Sequence, residues 1–519
     1  MGVQVDPAGG QGSLQTLGCC QPGYRRAPRV LGVDTAALAD LADLALAEVS
    51  RLGVAHADVR ARQEDSEAVQ VRDETVEGVR RGSSRGVGIR VLHDGAWGFA
   101  ATHDPSPDAV RRAAQQAVEV ARASALVRGR DGVRTDLDDT PPAVGTWTTP
   151  HERDPLEVPL EEKVGHLLGA TAAARDAAGV SYAEACTDAW RTATAYRDTA
   201  GGCVDQLVLQ VGAGVSAYAV GSGEVQQRSY PNSYGGQYES GGWERVLRLD
   251  LPGGAPAAAR EAVALLAAPD LPFREDAVLV LESSQLALQV HESIGHAVEL
   301  DRIQGSEAAY AGTSWVKVAD RGSLRYGSPL VTVIADATTP HAMGTFGFDD
   351  EGVPAGQAPI ITDGLLTGFL SDRQSAAALG ERSNGTARCD SWGAIPLIRM
   401  NNVSLQPKEG DLDAIVADTQ DGFLLLTNRS WSIDDRRLNF QFGCEAAYEI
   451  RGGRLGRLYR NPTYAGRTPD FWGSCDALGG RSDWRVWGIP NCGKGQPSQT
   501  ARVAHGAPTG RFRATVGVR

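Results

Sequence analysis

Residues 276–301 read DAVLVLESSQLALQVHESIGHAVELD. The first seven, DAVLVLE, read as a strand, and Ser283 or Ser284 can then cap a helix. That helix, QLALQVHESIGHAVELD, carries His291, Glu292 and His296 as an H-E-x-x-x-H string. Neutral imidazole is a preferred zinc ligand, and a Glu beside it can take a proton from metal-held water. The familiar spacing is i and i+4, which sets two rings about 40° apart around a helix. Here it is i and i+5, and on a straight helix the rings diverge by about 140°. A one-residue π-bulge would realign them. Gly295 lies inside the interval and weakens the helix there. The spacing therefore predicts a bulged helix; the alternative is a surface helix with two unrelated histidines.

A catalytic zinc needs a third protein ligand and one open position. Downstream candidates are His341, His505, several acids and four cysteines. Glu299 and Asp301 follow the motif directly and are candidates as ligands or as partners that orient the ligands. Cys492, in the Gly-flanked turn NCGKGQ beside Lys494, is either a poised thiolate or a plain buried cysteine.

Outward from the helix, residues beyond 305 are almost all strand and turn. ITDGLLTG and EIRGGRLG read as hairpins through Asp-Gly and Gly-Gly turns. The N-terminal part alternates helices, at about 34–53, 106–125 and 159–177, with strand-like segments such as ADVRARQ, EAVQVRD and the hairpins of 179–250. The fold class is α+β: an N-terminal domain of helices on a sheet (31–250), a linker helix region (251–275), and a mainly antiparallel β domain (276–519) carrying the metal helix. Residues 1–30, rich in Gly, Pro and Gln, read as a flexible extension.

Of 519 residues, 51 are Lys or Arg and 64 Asp or Glu, a net charge of −13. An acidic chain without a basic patch argues against nucleic acid as partner. No apolar run approaches the ~20 residues of a membrane span, and no signal peptide is visible, so the expected location is cytoplasmic. The eight cysteines include no C-x-x-C pair, which excludes a zinc ribbon. GSSRG (82–86) fits G-x-S-x-G, but a strand rather than a helix follows it, so a serine hydrolase is rejected. Asp349-Asp350-Glu351 fits no calcium loop and reads as a solvated turn.

HESIGHAVELD resembles the helix of the TldD/PmbA family of zinc metallopeptidases. FDDEGVP (348–354), ITDGLLTGFLSD (361–372), SNGTARCDSW (383–392) with PLIRMNN (396–402), and NCGKGQ (491–496) resemble further family segments in the same order. The resemblance implies His291, His296 and Cys492 as ligands of one Zn2+ per catalytic chain, and Glu292 as general base. The PmbA/TldE-like branch lacks these ligands, so this chain is similar to the catalytic TldD branch. Arg388, Lys494 and His341 are candidate substrate or oxyanion contacts. The resemblance further implies a TldE/PmbA-like partner chain or a homodimer, with the site enclosed between subunits and open to short or unfolded peptides. The alternative is a metal-containing binding subunit of a peptide-maturation complex that hydrolyses nothing. The family's Arg-rich turn is GTARCD here, and residues 1–30 have no recognised counterpart.

Overall fold

A computed structural model of the chain describes residues 34–129, 132–221 and 223–518. The expected 1–30 extension lies outside the described residues. Helix α1 (Thr35–Arg51) starts at Asp34, whose carboxylate accepts from the Ala37 N–H at 3.0 Å. Its apolar stripe, with Leu38, Ala42, Ala45 and Val49, is buried. Strands β1 (His56–Arg72), β2 (Thr75–His93) and β3 (Ala96–Thr102) follow, then α2 (Pro107–Arg128), capped by Ser106. Next come β4 (Val144–Thr148), α3 (Leu160–Arg175), β5 (Tyr182–Asp198), β6 (Cys203–Gly221), β7 (Glu224–Tyr230) and β8 (Gln237–Ser240). They form one sheet in the order β3-β2-β1-β5-β6-β4, with β7 and β8 also paired to β6. Only β4 runs parallel to its neighbour.

β1 is one unbroken strand where the polar stretch Gln63–Ser66 suggests two short ones. Ladders on both sides, to β2 and β5, satisfy its backbone along its whole length. Its two faces are buried against different layers. Ala57, Val59 and Ala61 pack under α1 and α2. Asp58, Arg60 and Arg62 face the second half of the chain, a pleat-alternating pattern that a single hydrophobic face would not produce.

The short α4 (Glu244–Leu247) leads to α5 (Leu251–Ala267), which packs with α3 in the second N-terminal core through Leu251, Ala255, Ala259 and Ala262. The other end of α5, with Leu265 and Ala268, packs on Ala446 and Leu458 of the C-terminal half, so the helix touches both halves. Gly253, Gly254 and Pro256 depress helix propensity, but burial of Leu251 and Ala255 outweighs it.

The C-terminal half is mainly β. Strand β9 (Arg274–Leu281) lies between Asp421–Ile433, parallel to it, and Gly510–Val516, antiparallel. Thr463–Arg467 and Asn439–Arg451 continue the sheet, and the latter pairs back onto Asp421–Ile433. Five strands thus close into a ring. One face of it packs Phe442, Tyr464 and Phe512 against helix α6 (Ser283–Val290) and the segment after it. The two expected tight turns form, with Asp363-Gly364 and Gly452-Gly453 all at positive φ.

The halves are joined by buried charge. Asp349-Asp350-Glu351 is not a solvated turn: all three residues are buried. Asp350 pairs with Arg62, and Glu351 with Arg90 at 2.8 Å. Ser84, the would-be nucleophile, sits within β2 and accepts from the Trp392 indole at 2.9 Å. Replacing Asp350 by Ala leaves Arg62 buried without its counter-ion. The expected loss is about 3–5 kcal/mol, read as a fall in the urea midpoint of the C-terminal half; a midpoint within error of wild type would contradict the pairing.

Candidate metal centre

Helix α6 begins at Glu282, whose carboxylate accepts from the Ser284 N–H at 3.0 Å. The cap is therefore Glu282 and not a serine. Ser283 is diverted: its hydroxyl donates to the Ala507 carbonyl and accepts from Trp487 Nε1. The helix then widens over His291–Gly295, where the His296 N–H donates to the His291 carbonyl, five residues back. This is the π turn that the spacing predicts. It brings the two rings together, centroids 4.9 Å apart and planes at 86°. Gly295 is needed for a second reason: a Cβ there would lie 2.0 Å from Met400 Sδ.

Cys492 comes from the other side, on Arg485–Lys494, which pairs with Gln499–Ala507. Its Sγ lies 3.5 Å from His296 Nε2, and one ligand atom from each of His291, His296 and Cys492 lies within 4.8 Å of the others. Donors about 2.0–2.3 Å from a tetrahedral zinc sit roughly 3.3–3.8 Å apart, so the set fits that ion with a small contraction.

The residues behind the ligands fix which nitrogens face the centre. His505 Nδ1 lies 2.8 Å from the Val403 carbonyl, which can only accept, so that nitrogen carries the proton. His505 Nε2 is then the acceptor for His291 Nδ1–H at 2.7 Å, and His291 Nε2 is left free to ligate. Likewise His296 Nδ1 donates to Glu299 Oε2 at 3.0 Å and frees its Nε2. Burial holds His291 below the ordinary imidazole range, and His296 and His505 well below it. Neutral imidazole is the form that binds metal. Burial works against the Cys492 thiolate, but His296 and the Arg399 guanidinium favour it, and the thiol sits below its ordinary value.

Glu299 thus supports His296. Asp301 instead accepts from Lys494 Nζ at 2.7 Å. Lys494 is fully enclosed, with Glu299, Asp301 and the Ile398 carbonyl around its ammonium, and does not line the metal cavity. Arg388 lines a separate cleft with Arg62 and Glu64, donating to the Met400 and Arg502 carbonyls. His341 is exposed beside Trp147 and Phe346. The structure therefore brings none of these three candidate oxyanion contacts into the cavity.

That cavity holds about 270 Å³ and contains His291, Glu292, His296 and Cys492. Among its described lining residues is one that sequence reasoning missed. Arg437 donates from Nη1 to Glu292 Oε2 at 3.0 Å, while Glu292 Oε1 lies 4.0 Å from His291 Nε2. Arg437 sits in the turn after Asp421–Ile433 at φ 61°, a conformation unfavourable for Arg. Asp434 staples that turn by accepting the N–H groups of Arg436, Leu438 and Asn439.

Residues 275–516 match the PmbA/TldA metallopeptidase C-terminal domain, and residues 57–121 match domain 1 of the same family. A metalloprotease of Archaeoglobus fulgidus is 30% identical over 468 residues, covering 89% of this chain and 99% of the relative. One of Methanothermobacter thermautotrophicus is 29% identical, covering 89% and 94%. A zinc metalloprotease TldD homologue of Saccharolobus solfataricus is 24% identical over 44% of this chain and 48% of its own. The chain belongs to the PmbA/TldD family of metallopeptidases. In fold it is similar to a Thermotoga maritima protein whose name refers to modulation of a DNA gyrase, with a TM-score of 0.73 at 17% identity, covering 92% of this chain and 99% of the other. TldE from Thermococcus kodakarensis gives 0.65 at 15%, covering 93% and 100%. No described helix is long and apolar enough to cross a membrane.

His505→Phe removes the acceptor that orients His291. Zinc affinity is expected to fall about 10–100-fold in a chelator competition. An unchanged affinity would refute the proton chain from Val403 to His291.

Proposed function

We propose that this chain is the catalytic subunit of a zinc-dependent peptidase acting on short or unfolded peptides. The observation that carries this reading is the meeting of three ligand side chains and the Glu292 carboxylate in one buried cavity. His291, His296 and Cys492 would hold one Zn2+ per chain. Bound there, zinc supplies the Lewis acid that polarises the scissile carbonyl and acidifies a water. Glu292 takes the proton of the attacking water and returns it to the leaving nitrogen. Arg437 holds one oxygen of that carboxylate and leaves the other turned toward the ligands. It also places positive charge in the cavity where the oxyanion develops. A purely structural metal site has no use for a base at this position.

The substrate class follows from access. His291, Glu292 and His296 are only 3–5% exposed, so a folded protein surface cannot bring its backbone to them, whereas a single extended strand can. The likeness to TldE in fold, together with the family, supports pairing with a TldE/PmbA-like chain or with a second copy.

Glu292→Gln is expected to keep its zinc and lose about 10²–10⁴ in turnover, measured as peptide cleavage beside metal content. Cleavage at the wild-type rate would overturn the role of Glu292. Native mass measurement, with and without a TldE/PmbA-like chain, is expected to show a dimer as the active species. A fully active monomer would remove the pairing.

A further inference from the structure

We propose that the apolar wall of the metal cavity is a subsite for a bulky apolar side chain of the peptide, closed at its rim by Tyr234 and Trp431. This rests on the peptidase reading above. Beyond the ligands and Glu292, one wall of the cavity is apolar, with Ala287, Leu288, Trp487 and Ile489, while Asn232, Ser284 and Asn491 lie elsewhere on its lining. Its lining charges are Glu292 and Arg437, and these are bonded to each other. Apart from the metal centre itself, no charged side chain among the described lining residues is left unpaired to receive a Lys or Asp side chain, which would be desolvated without a partner. An apolar side chain carries no such penalty and gains by leaving water.

The rim supports the same occupant. Tyr234 and Trp431 come from different halves of the molecule, yet their rings meet edge to face with centroids 5.4 Å apart. They remain 48% and 44% exposed, so their outer faces are bare until something covers them. Tyr234 is held in place: its hydroxyl donates to Asn428 Oδ1 at 2.9 Å, and its backbone lies at φ 55°, rare for a tyrosine. Tyr234, Ser233 and Asn428 also border a second, polar cavity of about 350 Å³ that includes Glu184 and Glu445. Tyr234 therefore stands between the metal cavity and this second one, and Trp431 borders the first. A peptide can bury one side chain in the first and run on past the second.

The test uses the zinc-loaded protein with any partner it needs, and short peptides that differ only in one residue: Phe, Leu, Asp or Lys. Cleavage beside Phe or Leu is expected at kcat/KM about 10-fold or more above Asp or Lys. Trp431→Ala and Tyr234→Ala are expected to bring these rates toward parity, chiefly through KM, with zinc content unchanged. Trp431→Phe should keep the preference. Equal rates for all four peptides in the wild type, or an undiminished preference in both Ala variants, would overturn the subsite. Binding of the same peptides to zinc-loaded Glu292→Gln separates the two proposals. Preference in binding without wild-type turnover sinks only the peptidase reading, whereas binding without preference sinks the subsite.

Discussion

Two imidazoles five residues apart can face one point only if the helix that carries them gains a residue within a turn. Much of the site depends on that constraint. The widened turn over His291–Gly295 puts both rings on one side and leaves Glu292 beside them. A side chain at position 295 would strike Met400, so glycine both relaxes the helix and admits its neighbour. The turn is braced from outside: the Ser293 hydroxyl donates to the Gln289 carbonyl and accepts from Trp472 Nε1 at 2.9 Å. The bulge is thereby built into the core rather than left to fluctuate.

Around this turn, the two halves of the chain act as one scaffold. The closed ring of strands supplies the bed for α6, the 485–507 hairpin supplies the thiolate, and the loop before β8 lays Tyr234 over the cavity. Buried ion pairs between β1 or β2 and the Asp350-Glu351 turn hold the halves in register. Buried pairs are weak sources of net stability, but they are intolerant of misalignment. That suits a seam that must place one wall of a cavity against another.

The α+β class, the helix with its bulge, and the two-residue hairpin turns were legible because each follows from local spacing or turn chemistry. Cys492 as a proposed third ligand came only through family resemblance. From the residues alone, His341, His505, several acids and four cysteines were all open; what turns His505 away is its Nδ1 on the Val403 carbonyl and its Nε2 on His291, contacts that no spacing reveals. Arg437 escaped notice because it meets Glu292 from 145 residues away through a turn that looks ordinary. Lys494 looked like a donor to the cavity because it follows Cys492 by two residues. In a strand those two side chains share a face, but Lys494 is drawn into carboxylates that sequence cannot place. The 349–351 acids looked solvated because their arginine partners lie in another domain.

The central claim is a metal held by two imidazoles and one thiolate on a π-bulged helix. X-ray absorption at the zinc edge of the loaded protein tests it most directly. The expected spectrum has nitrogen or oxygen scatterers at about 2.0–2.1 Å and one sulfur at about 2.3 Å, with the sulfur shell lost in Cys492→Ser. A wild-type spectrum without sulfur, or one unchanged in that variant, would contradict it.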